Sequence, residues 1–336
     1  MQTNPNLVEV TRGPLVESVH CGAIAIADGS GQVIKSLGDV EKPIFPRSAI
    51  KPLQALYLVE SGAVENNHLE SQAIALACAS HNGEENHVTG VRTMLANSGL
   101  TETCLECGAQ WPTSKASSNA LVENGEKPGA LHNNCSGKHA GFLCAAHHLG
   151  ESLPGYIKPN HPAQREVRGI VENMIDHSLQ NDHMATDGCS IPTFAMPLRS
   201  VAKAAAKMAT TNTMSPTRDR ALANTYDACV THPDLVAGTG RFDTKLMKAM
   251  GRDVLVKTGA EGYYMGVVPS LGLGIAIKCD DGGTRASEIM MAGVLFALLK
   301  ERRDTLVPFI NVPITNRNKW HVGNIRLAEG FVEALG

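Results

Sequence analysis

The stretch Pro46-Arg47-Ser48-Ala49-Ile50-Lys51-Pro52 sets a hydroxyl and an amine at Ser-Xaa-Xaa-Lys spacing. On a helix that spacing puts both side chains on one face. An unprotonated Lys51 amine can then take the Ser48 proton as the hydroxyl attacks an electrophile. Pro52 is tolerated only in a first helical turn, which places the helix start near Ser48. The pattern alone is weak, because Ser200-Val201-Ala202-Lys203 repeats it in an Ala-rich segment that reads as a solvated helix. Two further stretches set Ser48 apart: Ser80-His81-Asn82 and Lys257-Thr258-Gly259 follow it in order.

That order is similar to the one in penicillin-binding proteins and class A β-lactamases. A lysine is a base only as the free amine, a form favoured by burial or a second cation, and Lys257 and Arg47 are candidate cations beside Lys51. Ser80 can relay a proton toward Lys257, and Asn82 offers an amide to orient a substrate. Ser80 also reads as a helix-end cap. Gly259 and Ala260 are small enough for a strand to approach a substrate and donate an N–H to an oxyanion; a plain turn is the alternative. Arg47, and Arg241 after Gly238-Thr239-Gly240, carry guanidinium groups suited to a carboxylate.

A second constellation is His132-Asn133-Asn134-Cys135-Ser136-Gly137-Lys138-His139 with Asp187-Gly188-Cys189. From donor chemistry alone, Cys135, His139 and Cys189 make a zinc set that leaves a position for water. Buried thiols beside a structural histidine are the equal alternative. Cys104-Leu105-Glu106-Cys107 lacks a second ligand pair and reads as structural. His147-His148 reads as a helix end whose rings meet the last carbonyls.

The elements that must position these groups fall into a sheet and a helical lobe. Alternating runs from Leu7 to Leu37, broken at Ala27-Asp28-Gly29-Ser30-Gly31, predict a hairpin leading to a helix from Ser48 to about Gly62. Helices are predicted at 69–78, 87–98, 138–148, 162–175, 197–208 and 217–231. Strands are predicted at 254–257, 263–268 and 274–278, with an apolar helix at 286–299. The expected fold is therefore α/β of α+β type: an antiparallel sheet built from both chain ends, with a largely helical middle lobe. Residues 1–61 and 235–336 would form the sheet-bearing lobe and 62–234 the helical one, with the active site in the cleft between them.

At 336 residues, 43% hydrophobic and 19% charged, the chain has enough material for a large core. A net charge of −3 without Lys/Arg blocks gives no electrostatic footprint for nucleic acid or an acidic membrane. The opening Met1-Gln2-Thr3-Asn4-Pro5 has no basic run leading into an apolar one, so no secretory signal is expected, and no apolar run reaches spanning length. Nine scattered cysteines, an odd number, suggest reduced thiols in the cytoplasm.

Taken with Ser48/Lys51, Ser80-His81-Asn82, Asn133-to-His139, Asp187-Gly188-Cys189 and Lys257-Thr258-Gly259-Ala260-Glu261-Gly262, the chain resembles the rhizobial-type, class 3 L-asparaginases over nearly its whole length. The resemblance implies a serine-β-lactamase/glutaminase-like, penicillin-binding-like fold and a homodimer. It also implies hydrolysis of L-asparagine to L-aspartate and ammonia through a covalent β-aspartyl enzyme. It assigns Ser48 with Lys51 and Ser80 with Lys257 as two Ser–Lys pairs, and one Zn2+ per chain held by Cys135, Lys138, Cys189 and water. His139 then becomes a residue that faces the substrate or supports the metal ligands, and Asp187 a partner of those ligands. The alternatives are a glutaminase or other small-molecule amidase on the same fold, a β-lactam-binding enzyme, or a non-catalytic amino-acid-binding protein.

Overall fold

Short β-rich runs from the two ends of the chain join one eight-stranded sheet. The computed structural model describes residues 3–336, so Met1 and Gln2 of the opening stretch lie outside the described residues. The strands run in the order Asn311–Thr315, His321–Leu327, Asn6–Arg12, Leu15–Ala27, Leu273–Cys279, Tyr263–Val268 and Leu255–Gly259, with Val33–Leu37 also paired to Leu15–Ala27. Leu15–Ala27 is long enough to serve two partners on one side. Val10 opposes Ser18 near its start and Leu37 opposes Ile24 near its end, while Gly22–Ala27 meets Leu273–Cys279 antiparallel on the other side. The α/β class and the antiparallel sheet assembled from both ends are those predicted.

The chain forms two compact units. One comprises residues up to Ala49, Met196–Thr210 and Val256–Gly336; the other comprises Ile50–Ala195 and Thr211–Leu255. The boundaries thus fall at Ala49 and Leu255 rather than near 61 and 235. Ile50 to Val59 is buried throughout and packs among helices. Leu198–Thr210 instead packs on the sheet, which corrects the reading of Ser200-to-Lys203 as a solvated helix: Ser200 is buried.

Within the sheet unit, neighbouring positions of a strand face opposite sides. A Cβ on Gly274 would lie 2.1 Å from Ala206 N, so that side carries Leu198–Thr210. Ile275 opposes Gly266, where a Cβ would meet Met291 Cε at 3.0 Å, so the other side carries the helix Thr284–Leu298. Covered on both faces, Tyr263–Val268 is buried at every position instead of alternating.

In the helical unit, Ser136–His148 is buried from Ser136 to Ala146 and packs against Ser71–Ala77, Glu85–Asn97 and Leu56–Glu60. The single helix expected from Ser48 is instead a 3-10 turn, Arg47–Ile50, followed by the short helices Lys51–Gln54 and Leu56–Glu60. Pro52 stands in the first turn of Lys51–Gln54. No helix among the described residues is long and apolar enough to cross a membrane.

Candidate active site

The helical unit holds most of the sequence-predicted residues, and two of them, Ser80 and Cys135, meet one buried amine. Lys51 is 1% exposed; its Nζ donates to Ser80 Oγ at 3.0 Å and to the Ala79 carbonyl, and lies 3.1 Å from Cys135 Sγ. Two backbone bonds hold Ser80 and His81 in place, Ser80 N to Val236 O at 2.9 Å and His81 N to Asn134 O at 3.1 Å. Gly137 makes the approach of the two segments possible. A Cβ there would stand 2.2 Å from Leu76 O, so only glycine lets Ser136–His148 meet the end of Ser71–Ala77.

Cys135 is the N-cap of Ser136–His148, a position where the helix dipole favours an anion. The Cys189 thiol donates to its sulfur, and together with Lys51 and Lys138 this holds Cys135 well below the ordinary thiol value against the opposing effect of burial. Cys189 is displaced upward, first by that bond and then by burial. The proton therefore stays on Cys189 and the charge on Cys135. Lys138, 1% exposed, donates to Cys189 Sγ at 3.0 Å. Burial disfavours its charge, but Cys189, Cys135 and Asp187 outweigh burial and raise its pKa. Two sulfurs and an amine converge here with an anion among them; the sulfurs suit a soft divalent metal, and the amine would join them only on losing its proton.

His139, fully buried, has Nδ1 2.6 Å from Tyr156 Oη, and Tyr156 Oη accepts from the Glu106 N–H at 2.9 Å. Burial raises the pKa of the phenol, so it keeps its proton and donates it to Nδ1. The ring hydrogen is then on Nε2, a buried atom without a hydrogen-bond partner among the described residues. Burial, then Lys138 and Lys51, holds this histidine neutral. An N–H is a donor for a ligand, not a lone pair for a metal.

His81 and His87 stack at 4.8 Å, both displaced downward chiefly by burial. Asn82 accepts from Arg241 Nη1 at 3.3 Å and from Thr113 Oγ1 at 3.0 Å, and donates to Thr239 O at 3.2 Å. A Cβ on Gly238 would strike the Asn82 amide at 2.5 Å, so the glycine turn before Arg241 exists to seat Asn82. Asp187 caps its own turn, accepting from Gly188 N at 2.7 Å, and that turn presents Cys189.

The sheet unit supplies the remaining residues. Ser48 is half-buried in the turn Arg47–Ile50, where Arg47 has φ +48° and Ala49 N donates to Pro46 O at 3.0 Å. A Cβ on Gly259 would lie 2.5 Å from Pro46 O and 3.1 Å from Ala49 N, so the strand carrying Lys257 runs hard against the Ser48 turn. Lys257 is fully buried and its amine donates to Thr258 O at 2.8 Å; Ala260 follows in the turn after the strand.

Tyr156 escaped the sequence reading. It lies in an irregular loop with no motif around it except the preceding Gly155. Cys107, of the Cys-Xaa-Xaa-Cys pair, has its thiol pushed up to about 12, chiefly by burial, and donates to Ala130 O, as a structural thiol does.

A family model described as L-asparaginase II matches residues 8–327. No curated protein matches the chain. Among solved structures, the chain is similar to a protein designated a beta-lactamase from Bacteroides dorei DSM 17855 at 12% identity, covering 77% of this chain and 84% of that one with a TM-score of 0.41. It is also similar to Mglu in its native form at 16% identity, covering 84% and 64% with a TM-score of 0.35. A second Mglu structure, in its tris and glutamate form, matches at 16%, covering 90% and 63% with a TM-score of 0.34.

Proposed function

The chain belongs to the L-asparaginase II family, and from that premise we propose that it hydrolyses L-asparagine to L-aspartate and ammonia through an acyl-enzyme on Ser48. The observation that carries this reading is the buried Lys51 amine bonded to Ser80 Oγ, a contact between two of the residues that the family resemblance assigns to the Ser–Lys pairs. Ser48 Oγ attacks the side-chain amide carbon as Lys51 takes its proton. Backbone N–H groups at Gly259 and Ala260 receive the oxyanion, and Ser80 with Lys257 returns the proton to the departing ammonia. Water then attacks the ester and frees Ser48. The Arg47 and Arg241 guanidinium groups and the orphan N–H of His139 are suited to the substrate's carboxylate.

The Cys135, Lys138 and Cys189 donor set would hold a zinc ion, which when bound supplies a fixed positive charge that orders the substrate pocket. Asp187, which closes the turn that presents Cys189, would steady that sulfur as a ligand. Metal analysis of the purified protein and of Cys189→Ala tests this assignment; equal zinc in the two would remove it. A cytoplasmic homodimer completes the reading. All nine cysteines are free, which suits a reducing compartment, and light scattering of the eluted protein reports the assembly.

The deciding experiment measures ammonia from L-asparagine and L-glutamine side by side, with mass spectrometry of acid-quenched protein. The expected result is an aspartyl adduct on the Ser48 peptide, ammonia mainly from L-asparagine, and neither in Ser48→Ala. One methylene in a pocket is worth only about 1–3 kcal/mol, so equal rates would make the protein a broader amidase. Undiminished turnover in Ser48→Ala would end the Ser48 assignment.

A further inference from the structure

Lys278 stands near the end of Leu273–Cys279 and takes no part in the reaction above. Its Nζ donates to the Glu261 carbonyl at 2.7 Å and to the Cys279 carbonyl. Glu261 lies in the turn that directly follows Lys257-Thr258-Gly259-Ala260, with φ +58°, and Gly262 after it has φ +68°. A non-glycine residue enters that left-handed region only when its surroundings hold it there.

The Cys279-to-Gly283 loop does the holding. Cys279 N donates to Gly262 O at 2.9 Å. A Cβ on Gly262 would meet Cys279 Cβ at 2.9 Å, and one on Gly282 would meet Glu261 Oε2 at 2.7 Å. Asp281 anchors the loop in turn. Its Oδ1 accepts from Cys279 Sγ at 2.9 Å and Gly283 N at 2.8 Å, and its Oδ2 lies 2.6 Å from His20 Nδ1. Arg285 Nε donates to His20 Nε2 at 3.0 Å, which fixes the hydrogen on Nδ1 and directs it to Asp281. His20, Cys279 and Asp281 resemble a metal set in composition. A metal on Nδ1 would move the ring hydrogen to Nε2, against the Arg285 donor, so the trio is closed as a hydrogen-bonded anchor.

We propose that Lys278 is a positioning residue for the catalytic strand: by latching the Glu261 carbonyl to this anchored loop, it fixes the Gly259 and Ala260 N–H groups beside the Ser48 turn. The chemistry attributed to that strand rests on the function proposed above. The latch itself rests on the geometry alone. Lys278 also borders an open cavity of ≈ 590 Å³ with Lys42, Asp39 and Asp280, so longer or apolar side chains have room there.

The test compares the wild type with Lys278→Met and Lys278→Arg by steady-state kinetics on L-asparagine and by hydrogen exchange of the peptide spanning the 259–263 turn. Lys278→Met is expected to lower kcat about tenfold with KM changed less than about twofold, the loss of one charged hydrogen bond felt in the transition state. Exchange should rise in the turn and nowhere else, and Lys278→Arg should restore both. Unchanged kcat, or a lost kcat without faster exchange in the turn, overturns the latch; so does failure of arginine to rescue. If the wild type releases no ammonia, the functional reading falls separately. Exchange then decides the latch alone, supporting it if the rise is confined to the turn and overturning it if absent.

Discussion

Tyr156 decides what His139 can offer. Its hydroxyl takes the Glu106 N–H and gives its own proton to Nδ1, so the ring presents Nε2–H. Tyr156→Phe removes that direction and leaves a backbone N–H without its partner, a cost of about 1–3 kcal/mol. Under the proposed function, in which His139 faces the substrate, the expected outcome is a KM for L-asparagine raised about tenfold with kcat changed less, since such a contact would act in ground and transition state alike. Nitrogen-15 spectra of His139 should show the tautomer shift; unchanged spectra and KM would separate His139 from substrate binding. Lys51, Ser80 and Cys135, which the structure brings into contact, stood out in the sequence as reactive types within short motifs, whereas Lys138 entered only through the family resemblance. Tyr156 did not stand out, because its role comes from a loop that reaches a helix across many intervening residues.

Glycines set the elements against one another where side chains would not fit. Gly137→Ala would push a Cβ to 2.2 Å from Leu76 O, and Gly274→Ala would push one to 2.1 Å from Ala206 N. Both meet backbone, which does not rotate aside, so each should cost about 1–3 kcal/mol or more through overpacking. Both melting temperatures should fall by several degrees. The two part company in activity. Gly137 lies between Ser136 and Lys138, so its displacement separates Cys135 from Lys51 and lowers kcat well below the melting transition. Gly274 lies beneath Leu198–Thr210, and its variant should keep kcat while folded. Equal kcat in the two variants would mean that the Leu76 contact does not position the amine.

Helices such as Pro162–Ile175 and the strand Tyr263–Val268 matched their predicted bounds because each carries a run of apolar residues closed by a clear stop. Asn311–Thr315 did not show itself. It is an edge strand with Pro313 at its centre and little buried surface, so it carries no alternation to read.

At the scale of the molecule, the first and last segments of the chain complete each other. Val8 opposes Leu327 and Val10 opposes Ile325, while Leu7, Val8 and Val10 are buried. A Cβ on Gly293 would meet Leu327 and Phe331, so the same C-terminal residues also close the helix Thr284–Leu298. The sheet unit therefore cannot form until nearly the whole chain is present. Pairings this distant carry the loop-closure cost before they return any contact, which makes folding slow. Removing everything after Ile310 would strip two strands, leave the apolar edge Asn6–Arg12 unpaired, and uncover one side of Thr284–Leu298. The truncated chain is expected to bind a hydrophobic dye, to aggregate on concentration, and to show no cooperative melt. A truncated protein that melts cooperatively at the temperature of the intact chain would show instead that the sheet is complete without its last two strands, and that the two ends of the chain do not depend on each other.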